Sequence, residues 1–206
     1  MIKVENIEVV GWEHAIRGAR NPFNSWHRMD STFIGNNVKL GPNDYKLLTK
    51  LANAGSDHGK FMRMIMVYID ITAPLYWWKE FDTYKVGTVS NSCSTMHKIH
   101  DKEFVESDFS LERICSSYTK DINKLLIIEL NALREKFLET KEKQYWDSMI
   151  QMLPTSYNQR RTIMLNYEVL KNMYHARKNH KLYEWVDFCR WIETLPYSEL
   201  ITGGKK

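Results

Sequence analysis

The first quarter of the chain alternates short apolar segments with polar breaks. Residues 2–10 are rich in β-branched side chains and predict a strand. Residues 13–19 predict a short helix, and the glycine-, proline- and asparagine-containing residues 20–41 predict a loop. Pro42 suits a first helical turn, and apolar side chains then recur at helical spacing over residues 44–54. This part of the chain therefore predicts a strand followed by two helices.

The rest of the chain predicts one more buried strand and then mostly helices. Residues 62–72 are apolar on both faces, which is typical of a strand covered on each side. Residues 109–152 carry leucines among many charges and predict helix up to the break at Leu153-Pro154. Residues 158–177 and 182–193 each place apolar side chains on one helical face. The pattern predicts an α+β protein with few strands and a larger share of helix.

Composition narrows the class of protein. A chain of 206 residues without a linker predicts one domain over residues 1–206. The net charge of +4 suits small anionic ligands, and since the basic residues form no stripe, duplex nucleic acid is not a predicted partner. Cys93, Cys115 and Cys189 form no paired framework, and no segment is apolar enough to span a membrane, so we predict a cytoplasmic protein. The seven histidines show no metal-binding spacing, and no metal site is predicted.

The polar residues 83–97 are the first candidate site. Lys85 supplies a positive charge, and Thr88, Asn91 and Ser94 belong to a segment with hydrogen-bonding side chains at nearly every position. Such a segment can hold a phosphate or the polar edge of a heterocycle, while a solvated turn is the equally open alternative. Cys93 has no histidine or aspartate at a spacing diagnostic of a nucleophile, so no catalytic cysteine is predicted.

Two further groups of residues have the chemistry of anion or ligand sites. Asn166 and Arg177 are eleven residues apart, which on one helix corresponds to three turns and roughly 16 Å, with Asn172 on another face. The alternative is the solvated side of a helix with a basic C-terminus. Arg17 and Arg20 would share one face of the first helix and suit an anion, although two exposed arginines are equally common by chance.

Segments along almost the whole chain resemble the flavin-dependent thymidylate synthases (ThyX). Residues 15–23 are similar to the family's A-V-R-A-A-R-x-x-F segment, and residues 55–61 to its G-H-x-x-P-F turn, with the histidine at His58. Residues 71–74 resemble V-K-A-P. The family's L-P…N-x-R-S-L…N-L-R…H-A-Q-W-E series falls almost in register with Leu153-Pro154, Asn166, Arg177, His180 and Glu184.

The family's signature, R-H-R-x-x-S-x-N-E-x-S-x-R-Y, is present in altered form. With one residue inserted after Thr88, its third basic residue, first serine, asparagine and second serine correspond to Lys85, Thr88, Asn91 and Ser94. The first arginine, the histidine, the glutamate, the last arginine and the tyrosine are replaced by Thr83, Tyr84, Ser92, Met96 and His97. Each lost arginine would remove a charge-assisted hydrogen bond of roughly 1.5–3 kcal/mol.

Two more arginines of the family pattern are replaced outside the signature. The N-x-R arginine is Glu168 here, and the substrate-binding arginine before L-P is Ile150. Arg160 and Arg161, one turn into the predicted helix over residues 158–177, are candidates to replace it.

The resemblance implies a ThyX-like fold, a small central antiparallel or mixed sheet flanked by several helices with a helix-rich C-terminal half. It also implies a homotetramer whose sites are shared between subunits. The activity would be transfer of a carbon from methylenetetrahydrofolate through FAD to deoxyuridylate (dUMP), with NADPH as reductant. The implied substrate-binding residues are Ser94, Arg177, Arg160 and Arg161. The implied cofactor-binding residues are Lys85, Thr88, Asn91, His58, Asn166, Asn172 and His180, and no residue is assigned as a catalytic group.

Three interpretations stay open from the sequence. The first is an active, divergent flavin-dependent methyltransferase that acts on dUMP or an analogue in nucleotide biosynthesis. The second is a catalytically inactive protein that keeps the fold to bind a nucleotide or a flavin. The third is a purely structural oligomer. The kept Asn166, Arg177 and His180 favour the first, and the replaced signature residues favour the second.

Overall fold

The computed structural model of the protein describes residues 2–204, with about 52% helix and 19% strand. The strands are β1 Lys3–Val10, β2 Thr32–Ile34, β3 Asn37–Lys39, β4 Met66–Pro74, β5 Val89–Ser92 and β6 Asn158–Asn166. The helices are α1 Trp12–Arg20, α2 Pro42–Ala52, α3 Leu75–Phe81, α4 Thr95–Lys98, α5 Ser117–Thr140, α6 Lys143–Met152, α7 Tyr167–Arg177, α8 Tyr183–Ile192 and α9 Glu199–Thr202. The α+β prediction, with helix in the larger share and a helix-rich second half, is confirmed.

The strands form a four-stranded sheet in the order β1-β4-β6-β5 and a small antiparallel hairpin of β2 and β3. In β4, Val67, Ile69 and Ile71 are fully buried, whereas Tyr68 between them is 40% exposed. The strand is therefore covered on one face more than on the other, and the prediction of two apolar faces was wrong. It begins at Met66 because the residues before it, Gly59–Met64, form a 3-10 helix.

By its internal contacts the described chain divides into two compact units. The first comprises residues 2–3, 72–81 and 91–161, and α5 packs against α6 within it. Its core contains Ile99, Phe104, Phe109, Leu130 and Met149. The second comprises residues 4–71, 82–90 and 162–204, and α7 packs there against α8 and α9. The single domain expected over residues 1–206 stays a prediction.

The largest difference from the sequence-based prediction lies in residues 158–177. The first nine residues form β6, and only Tyr167–Arg177 forms a helix. Ile163 and Leu165 are buried, Met164 between them is only partly buried, and Arg160 and Thr162 before them are exposed, which is the two-residue period of a strand. Asn166 then starts α7 as its N-cap, since its side chain accepts a hydrogen bond from the Val169 amide at 3.0 Å.

Smaller differences concern loops. Residues 20–41 contain the 3-10 helices Asn21–Phe23 and Trp26–Arg28 and the β2–β3 hairpin, so they are not a plain loop. The polar residues 83–97 include β5 and α4, and residues 109–116 precede α5 outside any helix. Across residues 2–204, no helix has the length and apolar character needed to cross a membrane. All three cysteines are free.

Candidate functional site

The predicted site residues fall into one group in each unit. In the first unit they are Asn91, Ser94, Arg160 and Arg161. In the second unit they are His58, Lys85, Thr88, Asn166, Asn172, Arg177 and His180. Each group is described within its own unit.

Arg177, the last residue of α7, is the centre of the second unit's group. Its Nε donates a hydrogen bond to the Tyr84 hydroxyl at 2.9 Å. Its guanidinium carbon lies 4.9 Å from the ring centre of Trp185 and 5.6 Å from that of Tyr84. A guanidinium held against two aromatic faces gains cation–π attraction and loses rotational freedom. Arg177 is therefore fixed in direction by residues from two other segments of the chain.

His180, three residues after the end of α7, also lies against Arg177. Its Nε2 lies 3.0 Å from Nη1 of Arg177, and its Nδ1 accepts a hydrogen bond from the Leu182 amide at 3.1 Å. A neutral imidazole has one acceptor nitrogen and a protonated one has none, so the two donors compete for the same ring. The guanidinium of Arg177 supplies the positive charge of the cluster.

Asn166 is buried at the start of α7, and the loop of residues 82–90 approaches it closely. A Cβ atom placed on Gly87 would lie 3.1 Å from Asn166 Nδ2 and 3.1 Å from a methyl group of Val169. Gly87 also has φ of +74°, which favours glycine. The next residue, Thr88, buries its hydroxyl oxygen without a hydrogen-bond partner among the described residues. The loop thus holds a polar group for which a bound ligand could provide the partner.

Three other predicted cofactor-binding residues of the second unit are exposed. Lys85 lies in the same loop, Asn172 lies on the exposed side of α7, and His58 precedes the 3-10 helix Gly59–Met64. None of the three forms a hydrogen bond or an ion pair with the Arg177 cluster within the part of the chain that the structure describes. The second unit therefore brings together Arg177 and His180, and separately Asn166 and the Thr88 loop.

Glu168 occupies the position where the resemblance places an arginine, and it forms an ion pair with Arg63. The Arg63 guanidinium donates to both carboxylate oxygens of Glu168, with Nη2 3.0 Å from Oε1. The pairing with Glu168 also raises the pKa of Arg63. A cation from the 3-10 helix Gly59–Met64 thus stands beside residue 168, but its charge is balanced by the glutamate.

In the first unit, Ser94 and Arg160 line a pocket of about 340 Å³. Ser94 is the N-cap of α4, and its Oγ lies 3.1 Å from the His97 amide and 2.8 Å from His97 Nδ1. The Cys93 amide donates to the Arg160 carbonyl at 2.9 Å, which brings the two segments together. Two lysines of the pocket are paired with carboxylates, Lys98 with Asp101 at 2.7 Å and Lys102 with Asp108 at 2.5 Å.

Arg161 has different surroundings from Arg160, because successive side chains of a strand point to opposite faces. The guanidinium carbon of Arg161 lies 4.2 Å from the ring centre of Trp78, and its Nε donates to Gln159 Oε1 at 2.9 Å. The Trp78 indole in turn donates to the Gln159 carbonyl at 2.9 Å. Both arginines lie in β6 and not one turn into a helix as predicted. Asn91, in β5, is exposed.

The cysteines and histidines give no sign of another chemistry. Burial, together with the Glu193 carboxylate, raises the pKa of the buried Cys189 thiol to about 12, so this cysteine stays protonated. Within residues 2–204 no group of three or more metal-ligating side chains comes together. The aromatic partners of Arg177 were not among the predicted site residues. Tyr84 lies in the polar segment and could have been found there, but Trp185 looked like an ordinary core residue of a helix.

The structure is similar over its whole length to solved structures of flavin-dependent thymidylate synthases. ThyX from Helicobacter pylori, complexed with FAD and dUMP, superimposes with a TM-score of 0.69 and 16% identity over 98% of this chain and 100% of that chain. This chain has the ThyX fold. A second structure of the Helicobacter pylori ThyX with FAD and dUMP gives a TM-score of 0.68, with 18% identity over 96% of this chain and 98% of that chain. The ThyX fold agrees with the resemblance of the motifs, although no protein-family model and no curated protein sequence matches this chain.

Proposed function

We propose that this protein is a divergent flavin-dependent thymidylate synthase-like methyltransferase that acts on dUMP or a related pyrimidine deoxynucleotide. The observation that carries the proposal is the cluster around Arg177. Its guanidinium is oriented by Tyr84, His180 and Trp185 in a chain that has the ThyX fold from end to end. An arginine suits recognition of the carbonyl edge of a uracil ring, because its guanidinium carries five N–H donors in a rigid plane.

The residues of the second unit also fit a flavin. FAD, when bound, would carry the redox and one-carbon chemistry, with methylenetetrahydrofolate as carbon donor and NADPH as reductant. Thr88 has a buried hydroxyl that lacks a partner within the described chain. The side-chain amide of Asn166 lies beside Gly87, so close that a Cβ atom there would be 3.1 Å from Asn166 Nδ2. We assign both to flavin binding, together with His58, Lys85, Asn172 and His180. These residues would bind and orient the cofactor and would not react themselves.

In the first unit we assign the pocket beside Ser94 to the phosphate of the nucleotide. The Ser94 hydroxyl is a donor and acceptor, and Arg160 is the pocket's arginine. An arginine suits a dianionic phosphate, because its planar guanidinium can donate two hydrogen bonds to one phosphate group.

This assignment predicts unequal effects for the two neighbouring arginines. Arg160→Ala should weaken binding of dUMP roughly 10- to 100-fold, because it removes a charge-assisted hydrogen bond to phosphate. Arg161→Ala should affect nucleotide binding much less and instead destabilise the packing around Trp78. Isothermal titration calorimetry on both variants measures the difference. If neither substitution changes the affinity, the phosphate assignment is wrong.

A homotetramer is part of the proposal and has support in α5. Tyr118, Ile122, Leu125 and Ile128 are 73%, 47%, 65% and 63% exposed. Their spacings of four, three and three residues place them on one side of the helix. A stripe of large apolar side chains on a surface is typical of a subunit contact.

The alternative is a ThyX-fold protein that binds a nucleotide or a flavin without turnover. It is favoured by Ile150, which packs against the core of the first unit where the resemblance places a substrate-binding arginine. It is favoured as well by Glu168, which stands where the resemblance places an arginine and balances the charge of Arg63.

The colour of the purified protein separates the two functions. An enzyme should copurify with or take up FAD, show flavin absorbance that NADPH bleaches, and methylate dUMP when methylenetetrahydrofolate is added. The binding protein should show a higher melting temperature with dUMP or FAD but no turnover. A protein that is colourless and is stabilised by neither compound would contradict both.

A further inference from the structure

A second cavity lies in the second unit, built from residues that the ThyX-like site does not use. It has a volume of about 510 Å³ and lies against the C-terminal end of α1, the 3-10 helices Asn21–Phe23 and Trp26–Arg28, and one face of α2. The lining residues on which its chemistry depends are Phe23, His27, Arg28, Lys46, Leu47 and Lys50.

The charge of this cavity is one-sided. Arg28, Lys46 and Lys50 are exposed cations, and no aspartate or glutamate is among the lining residues. Lys46 and Lys50 are four residues apart on α2, so their side chains are neighbours, with Cβ atoms about 6 Å apart. None of these three cations forms an ion pair within residues 2–204. A concave surface lined by one sign of charge concentrates ligands of the opposite sign.

The carboxylates nearest in sequence cannot neutralise these cations, because both are already engaged. Asp44 is fully buried and accepts hydrogen bonds from Nε and Nη2 of Arg20, from the Ser31 hydroxyl, and from the amides of Asp30 and Ser31. Asp30 in turn accepts from the amides of Asn43 and Asp44 at 2.9 and 3.0 Å, which satisfies the start of α2. The same network ties residues 20–31 to α2 and so makes the cavity a preformed one.

One side of the cavity is aromatic and apolar. Phe23 is 87% exposed, although a phenylalanine gains about 2–3 kcal/mol when it is buried. The 3-10 helix that contains Pro22 holds it in place, and Leu47 lies in the same lining. An exposed ring at the edge of a basic cavity is suited to stacking on a planar group.

We propose that this cavity binds a small organic phosphate that carries at least two phosphate groups and a planar ring. Arg28, Lys46 and Lys50, with His27 as a further donor, would hold the phosphates, and Phe23 would stack on the ring. The site is separate from the residues assigned to the flavin and to the nucleotide, and it does not depend on the proposed function.

The test uses the full-length protein and three probes: ATP, inorganic triphosphate and adenosine, titrated by calorimetry at low ionic strength. ATP should bind more tightly than triphosphate, and adenosine should bind only weakly. Lys46→Gln combined with Lys50→Gln should weaken both polyphosphates at least about tenfold. Phe23→Ala should weaken ATP but leave triphosphate unchanged, which separates stacking from charge.

A matched control is Lys136→Gln combined with Lys143→Gln, which removes two positive charges from α5 and α6. Equal loss of ATP binding in the control and in the Lys46/Lys50 variant would overturn the proposal, as would no binding of either polyphosphate at millimolar concentration. A single-stranded oligonucleotide that binds more tightly than ATP at the same residues would overturn it in favour of a nucleic-acid surface. The melting-temperature shift with dUMP should be the same in both double variants, so failure here leaves the proposed function intact.

Discussion

At the scale of single residues, the structure separates arginines that the sequence pattern treats alike. Arg17 and Arg20 were expected to share an anion-binding face, but Arg20 is 4% exposed and pairs with the buried Asp44, while Arg17 is exposed and contacts His14. Arg20 therefore stabilises the fold and does not bind an external anion. A sequence shows that an arginine is present, but the partner that decides its role is 24 residues away.

Asp44→Asn should destabilise the protein by about 3 kcal/mol, because the uncharged amide leaves the buried Arg20 guanidinium without its counter-charge. Burial alone would raise the pKa of Asp44, but hydrogen bonds from Ser31, Asp30 and Arg20 outweigh it and hold that pKa below its usual value. Since the folded-state pKa is the lower one, ionised Asp44 contributes stability above about pH 4 and loses it as the pH falls through the folded-state pKa.

Urea unfolding of wild type and Asp44→Asn at several pH values checks this prediction. The difference in unfolding free energy should be constant near neutral pH and should shrink below about pH 4. Asp121→Asn, at an exposed ion pair with Lys124, is the control and should change stability much less. A difference that does not depend on pH down to acid unfolding would contradict the assignment.

At the scale of elements, the transition from β6 to α7 decides where the site residues lie. Asn166 ends the strand and caps the helix, so it and Arg177 mark the two ends of α7. The strand also separates Arg160 from Arg161, which lie in different surroundings. The sequence pattern misses this boundary because Ile163, Leu165 and the apolar residues of α7 can be joined into one helical stripe.

Asn166→Ala should destabilise the protein by about 1 kcal/mol, since the Val169 amide would lose its capping partner in a buried place. Ser116→Ala is the matched control, because Ser116 precedes α5 without a side-chain capping bond. The measurement is the midpoint of urea unfolding for each variant. If the two substitutions had equal effects, the cap at α7 would have no special role.

At the scale of the whole molecule, the exposed apolar stripe of α5 bears on the proposed homotetramer. Leu125→Asp combined with Ile128→Asp should convert the tetramer to smaller species, because each aspartate would place a charge in an apolar contact. The helix should keep its circular dichroism, since both positions are exposed in the chain itself. Sedimentation velocity measures the species present.

Lys120→Asp is the control for this change, because it lies at an exposed position of the same helix away from the stripe. It should leave the oligomer intact. A wild-type protein that sediments as a monomer at micromolar concentration would show that the tetramer proposal is wrong.

Much of the molecule could be predicted from local pattern. Strand β1, helices α1, α2 and α8, the helix end before Leu153-Pro154 and the α+β class follow from periodicity and from glycine and proline positions, which act within a few residues. The division of residues 109–152 into α5 and α6 was not predicted. The ThyX fold followed from motifs spread along the chain, and the structure confirms it. The short elements β2, β3, α4 and α9 could not be predicted. A segment of three or four residues is too short to show a hydrophobic period, and its hydrogen bonds depend on the surrounding structure.

By itself the sequence determined which residue types are available and which residues of the ThyX motifs are replaced in this chain. The tertiary structure alone decided what those residues do. It placed Tyr84 and Trp185 against Arg177, Arg63 against Glu168, and Arg161 against Trp78. It also left the cations of the Phe23 cavity facing one space without a carboxylate among them. The physical reason is that charge pairing, burial and stacking act between side chains far apart in the chain, and their energies depend on distances that only the folded chain sets.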